Sequence, residues 1–176
     1  MAITLQTVVS SYVVAKQQFR AKEDGLKLNV FYLGTLNDQQ LTHTGFFFAK
    51  QTIDNVFNKN KPIEKVKNVQ VIYTVLLSTP DLVKKLFPGI VLPNFTTKEG
   101  LKNLQEQLEK TPDYQSFINT QWRDYTQLKT EKKSAKETFS NFVKEQKKAG
   151  TFSEEELARH TTDKRIIKLA KKLKTN

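Results

Sequence analysis

Gly45-Phe46-Phe47-Phe48-Ala49 is the stretch on which the architecture turns. It follows a polar, turn-rich passage from Gly34 to Thr44, and three consecutive aromatics in that setting predict a strand buried on both faces. On its N-terminal side the pattern has a period of two. Leu26, Leu28, Val30 and Tyr32 fall on one face with Lys27 and Asn29 on the other, which predicts a first strand. On its C-terminal side Val69-Gln70-Val71-Ile72-Tyr73-Thr74-Val75-Leu76-Leu77 predicts a third, and Asn58-Lys59-Asn60-Lys61-Pro62 an exposed loop between them. The expectation is a small, mainly antiparallel sheet of about three strands.

Residues 3 to 23 carry mixed signals. Thr, Val and Tyr favour a strand, whereas Leu5, Val8, Val9, Tyr12, Ala15 and Phe19 share one helical face that Gly25 can terminate. The helical reading is preferred to a hairpin turning at Asp24-Gly25.

After Leu77 the pattern is helical throughout. Thr79-Pro80-Asp81 opens a short helix with a cap, a first-turn proline and an acid suited to the dipole, and Pro88-Gly89 closes it. Thr96-Thr97-Lys98-Glu99 is a capping box ahead of Leu101, Leu104 and Leu108. Thr111-Pro112-Asp113 repeats the proline signal. From there Tyr114, Phe117, Ile118, Trp122, Tyr125 and Leu128 keep helical spacing, thinning to Ala135 before Phe139, Phe142 and Val143, as one long helix or two in line. Ser153-Glu154-Glu155-Glu156 is a second capping box, with Phe152 placed to staple onto Leu157. A last helix runs from about Asp163 to Lys174. The predicted fold class is therefore α+β: an N-terminal helix and a small sheet in residues 1–95, then a helical region in 96–176 ending in a basic amphipathic helix.

That final helix is the sharpest local feature. At about 100° per residue, Ile166, Leu169, Ala170 and Leu173 occupy one arc, and Lys164, Arg165, Lys168, Lys171, Lys172 and Lys174 fill the rest. No acid follows Asp163. The whole chain holds 29 Lys plus Arg against 18 Asp plus Glu, a formal net charge of +11. An excess of this size points to a polyanionic partner. Only Arg20, Arg123, Arg159 and Arg165 are arginines, so most of the positive charge is of the kind that meets phosphates and not the kind that reads guanine edges. Nucleic acid held by its backbone is the partner expected, with the six cations of the last helix as the site. Lys129, Lys132, Lys133, Lys136, Lys144, Lys147 and Lys148 extend the track.

Other readings are weaker on physical grounds. Ser153 to Lys174 resembles a helix-turn-helix, but its turn His160-Thr161-Thr162 lacks glycine, its first helix is barely two turns, and Ile166 to Lys172 lacks the Asn, Gln or Arg of a base reader. Phe31-Tyr32-Leu33-Gly34-Thr35-Leu36 and Gly45-Phe46-Phe47-Phe48 carry the letters of two RNA-recognition strand motifs. About ten residues between them leave no room for the helix and strand that fold requires. An assembly or adaptor protein is the alternative, with Tyr114, Phe117, Trp122 and Tyr125 as partner contacts and a homo-oligomer or another protein as partner. Binding to a membrane surface is disfavoured, because the last helix has no Trp or Phe to anchor it.

For catalysis there is little to assemble. His43 and His160 are the only histidines, there is no cysteine and no phosphate-cradling glycine loop, and no cofactor or metal is expected. Asp38, Asp54, Glu64 and Asp81 could hold magnesium only if the fold gathers them. The longest apolar stretch, Val71 to Leu77, falls far short of the roughly 20 residues that cross a bilayer. With no basic, continuous apolar leader at the N-terminus and no cysteine, a cytoplasmic protein is expected.

Overall fold

The computed structural model describes residues 3–28, 34–77, 79–86 and 96–174, without the side chains of 73–77 and 86. Nine α-helices are described: α1 (Leu5–Lys27), α2 (Asp38–Ile53), α3 (Asn68–Leu77), α4 (Pro80–Leu86), α5 (Lys98–Glu109), α6 (Pro112–Phe117), α7 (Arg123–Ala149), α8 (Glu154–His160) and α9 (Lys164–Lys172). Single π-helical turns, Asp54–Asn58 and Ile118–Trp122, extend α2 and join α6 to α7, and Ile63–Lys65 is a 3₁₀ turn.

There is no strand among the described residues, so the α+β expectation and its three-stranded sheet are overturned. Each expected strand fails for its own reason. Gly45 to Ala49 lies in the middle of α2, where Thr44 through Ala49 are all buried. An apolar run enclosed on every side has no period, and a core helix accommodates it as well as a two-sided strand does. Asn37 fixes the outcome locally. Its side chain accepts from the Gln40 amide at 2.8 Å while the Gln40 side chain accepts from the Asn37 amide at 3.0 Å, a reciprocal box that starts a helix.

Val69 to Leu77 is helical as α3, which packs against α2 and is tied to it by Asn68 donating to Gln51 at 2.6 Å. Tertiary packing here overrides the β-branched composition. Leu26, expected to begin the first strand, is buried in the last turn of α1, and Leu28 follows with φ of 50°. Val30 and residues 31–33 of the stretch 31–36, Tyr32 among them, lie outside the described residues, as does Pro88-Gly89. The N-terminal helix runs through Gly25 to Lys27 instead of stopping there, and no hairpin forms at Asp24-Gly25.

The later start signals locate helices with small shifts of register. Thr97, not Thr96, caps α5 by accepting from the Gly100 amide at 3.0 Å, so the box is only half made. Thr111 precedes Pro112 without capping α6, its hydroxyl donating back to the Gln107 carbonyl.

The chain forms two compact units, residues 1–22 with 125–176, and residues 23–124. A boundary near 95 would fall outside the described residues. In the first unit Leu5, Val8, Val9 and Tyr12 of α1 pack with Phe139 and Val143 of α7, Leu157 of α8, and Ile166 and Ala170 of α9. In the second, Phe46 of α2 meets Tyr114 and Phe117 of α6 at 5.3 and 5.8 Å, and Phe47 meets Trp122 at 5.7 Å. No described helix is long and apolar enough to cross a membrane.

Candidate functional site

Both ends of α9 are anchored, which determines the direction its cations take. At the N-terminal end Asp163 is the cap, its Oδ1 accepting from the Arg165 and Ile166 amides at 2.9 and 3.4 Å. Its Oδ2 accepts from the Lys16 ammonium of α1 at 2.6 Å. The hydrogen bond from Lys16 is the largest of the effects that hold the Asp163 carboxyl below its ordinary value, against the opposing pull of burial. At the C-terminal end the Lys147 ammonium of α7 donates to the carbonyls of Ala170 and Leu173, at 2.6 and 2.7 Å. A cation placed on the last carbonyls of a helix satisfies acceptors that have no partner within it.

The connection from α8 is short and closed by side chains in place of glycine. Ser153 caps α8 by accepting from the Glu156 amide, and the Thr161 hydroxyl accepts from the Asp163 amide at 3.0 Å. Phe152 packs on the same cluster as Leu157, as a staple does. Helix α8 has seven residues and α9 nine, three residues join them, and α9 carries no Asn or Gln.

With Ile166 and Ala170 fully buried, the opposite arc of α9 faces outward. Lys164, Arg165, Lys168, Lys171, Lys172 and Lys174 are all exposed. The one carboxylate paired with them among the described residues is Glu154, 4.0 Å from Lys171, with both side chains more than half exposed. Such a pair contributes little.

The expected extension along α7 divides into two groups. Lys147 is engaged by α9, and Lys132 lies with its ammonium 4.7 Å from the centre of the Phe19 ring. Lys129, Lys133, Lys136, Lys144 and Lys148 are exposed. Of these, Lys133, Lys136 and Lys144 line one shallow depression with Ser140, Asn141 and Glu137. Aromatic rings are absent from this surface among the described residues: Tyr12, Phe19, Tyr125 and Phe139 are buried, and Phe142 and Phe152 pack on the core.

Three of the four aromatics expected as an adaptor surface are core. Tyr114 and Phe117 are buried in the second unit and Tyr125 in the first, while Trp122 is half-buried against Phe47. Burial also pushes the Tyr114 phenol well above its ordinary value, with Asp54 and Glu109 adding to the shift.

Sequence reasoning missed a cleft in the second unit, a cavity of about 430 Å³ floored by Phe46 and Phe117. Asp38, His43, Lys85, Asp113, Ser116 and Gln121 stand around it, with the His43 ring 5.8 Å from that of Phe117. These residues come from α2, α4, α6 and the π turn, and no spacing in the chain connects them. Asp38 and Asp113 also lie in the first turns of their helices, where the dipole favours an acid. Among the described residues no three His, Asp or Glu are grouped to hold a metal ion. Asp54 instead pairs with Lys50 at 3.1 Å, and Glu64 and Asp81 belong to separate short helices.

No known protein family, curated protein or solved structure matches the chain.

Proposed function

We propose that this chain binds nucleic acid through its phosphate backbone, largely without regard to base sequence and without catalysing a reaction, in a reducing compartment such as the cytoplasm. The observation that carries the reading is the presentation of α9. Its apolar arc packs on the core and its two ends are clamped by Lys16 with Asp163 and by Lys147, so Lys164, Arg165, Lys168, Lys171 and Lys172 are held outward on a rigid support, with Lys174 two residues past the helix end. A preorganised array loses less side-chain and backbone freedom on binding than the same lysines on a disordered tail.

One further feature supports phosphate contact to a duplex over capture of single strands. Single-strand binders stack bases on exposed aromatic rings, and the rings of this unit are buried or packed on its core. The exposed lysines of α7, three of them around one depression, offer a second cationic strip to the same kind of ligand.

The test is a salt titration of binding to duplex DNA and duplex RNA. With four to six phosphates neutralised, log affinity falls with log salt at a slope of roughly −3 to −5. Deleting α9 would strip Ile166 and Ala170 from the core, so the charge is removed by substitution instead. Replacing Lys164, Arg165, Lys168 and Lys172 with Gln should weaken binding to every sequence alike and make the slope shallower by about 0.9 for each phosphate no longer neutralised. A slope near zero, or an unchanged slope in the substituted protein, overturns the proposal.

A further inference from the structure

One face of α1 carries no charged side chain along its first three turns. The first fifteen residues contain no charged side chain, in a chain of net charge +11. Leu5, Val8, Val9 and Tyr12 use one side of the helix for the core. The other side carries Thr7, Ser10, Ser11 and Val14, all exposed and spaced as a single helical stripe, with Ile3 exposed two residues ahead of the helix. Three large hydrophobic side chains are exposed among the described residues, and two of them are here, Ile3 at 64% and Val14 at 49%.

Beside the stripe runs a groove between α1 and α7, lined by Thr7, Ser11, Ser134, Ala135 and Thr138, with Ile3 at its edge and Glu131 its one charge. Two of its four hydroxyls donate to carbonyls of their own helix or its entry. Thr7 donates to the Thr4 carbonyl at 2.8 Å, and Thr138 donates to the Ser134 carbonyl at 3.1 Å. Those two threonines leave their methyl groups to the groove beside Ala135, and Ser11 and Ser134 add small polar side chains. Small side chains allow another helix to approach closely, and exposed branched ones supply something to insert.

We infer that this face binds a second copy of the chain, α1 crossing α1 antiparallel about a two-fold axis near Ser10 and Ser11. Two properties select a second copy as the occupant. The first is charge: two molecules of this net charge repel each other, and a face free of lysine is where they can meet without setting cations against cations. The second is self-complementarity, which a two-fold interface demands. Positions 7 and 14 are equidistant from the axis, so Val14 of each copy lies beside Thr7, on the groove, of the other. Lys16, about 200° round the helix from Val14, is the contact of α1 with the cap of α9. The cationic helix therefore lies on the far flank of α1 and stays uncovered in the dimer.

Analytical ultracentrifugation of the full chain, in high salt and with no nucleic acid, reads this inference independently of polyanion binding. A dimer is expected, and Val14→Lys should raise its dissociation constant by about tenfold or more by placing like charges across the axis. Because the chain has no cysteine, single replacements report geometry without background. Oxidised Ser10→Cys or Ser11→Cys should trap a disulfide-linked dimer, whereas Ser140→Cys on the lysine flank of α7 should not. The inference fails if the protein is monomeric up to high micromolar concentration, if Val14→Lys leaves the dimer intact, or if all three cysteine variants cross-link alike.

Discussion

Asp163 caps α9 with one carboxylate oxygen and binds Lys16 with the other, and the two roles separate by substitution. Asn keeps the cap and loses the ion pair, whereas Ala loses both. Asp163→Asn should therefore destabilise less than Asp163→Ala, the cap alone contributing about 1 kcal/mol. The carboxyl is held below its ordinary value in the folded protein, so its charge-dependent stabilisation is complete above the unfolded value and is lost as the pH falls through the folded one. In thermal melts from neutral pH downward, the native protein should exceed Asp163→Asn in stability near neutrality, and the difference should close in acid. A difference that persists unchanged below about pH 2 would assign the effect to packing and not to charge. From the sequence, the position of Asp163 at the start of a helix is legible. Its partner Lys16 is not, because 147 residues separate them and nothing local links the two.

At the scale of the element, α9 depends on α7 as much as on its own sequence. Lys147 looks from spacing like one more member of a phosphate track, yet its ammonium closes the C-terminal end of α9. Lys147→Met keeps the aliphatic stem and removes both bonds. We expect it to cost about 2 kcal/mol and to speed hydrogen exchange at the last-turn amides of α9, with the amides of α8 less affected. Unchanged exchange across α9 would show that the apolar arc alone holds the helix. The helices after residue 79 are legible because caps and first-turn prolines are local chemistry, as at Thr97, Pro112 and Ser153. Helices α2 and α3 are misread as strands for the converse reason. Phe46 to Phe48 and Val69 to Leu77 lie where burial removes the alternation that distinguishes the two states, and the one local sign of α2, Asn37 followed by Gln40, sits in a passage whose polarity suggests a loop.

On the scale of the whole molecule, the unit bearing the cationic helix is assembled from both ends of the chain. Phe139, Val143, Leu157 and Ile166 are fully buried in a cluster that includes Leu5, Val8, Val9 and Tyr12. A fragment of residues 96–176 lacks α1 and exposes that face. Each large apolar side chain returned to water costs about 2 kcal/mol, so the fragment should be helical by circular dichroism but melt without a cooperative transition. A peptide of residues 1–28 added in trans should restore one. A fragment that melts as sharply as the intact chain would show α1 to be dispensable.

Composition and local pattern suffice for the charge excess, the lack of cysteine, the helix starts after residue 79 and the amphipathic character of α9, since each depends on neighbours within a few residues. The helical state of residues 38–77, the pairing of α1 with the C-terminal helices, and the division of the lysines into anchors and exposed cations depend on partners distant in the chain. Those partners are brought together by burial of apolar surface, which is indifferent to sequence separation, and no local spacing records it.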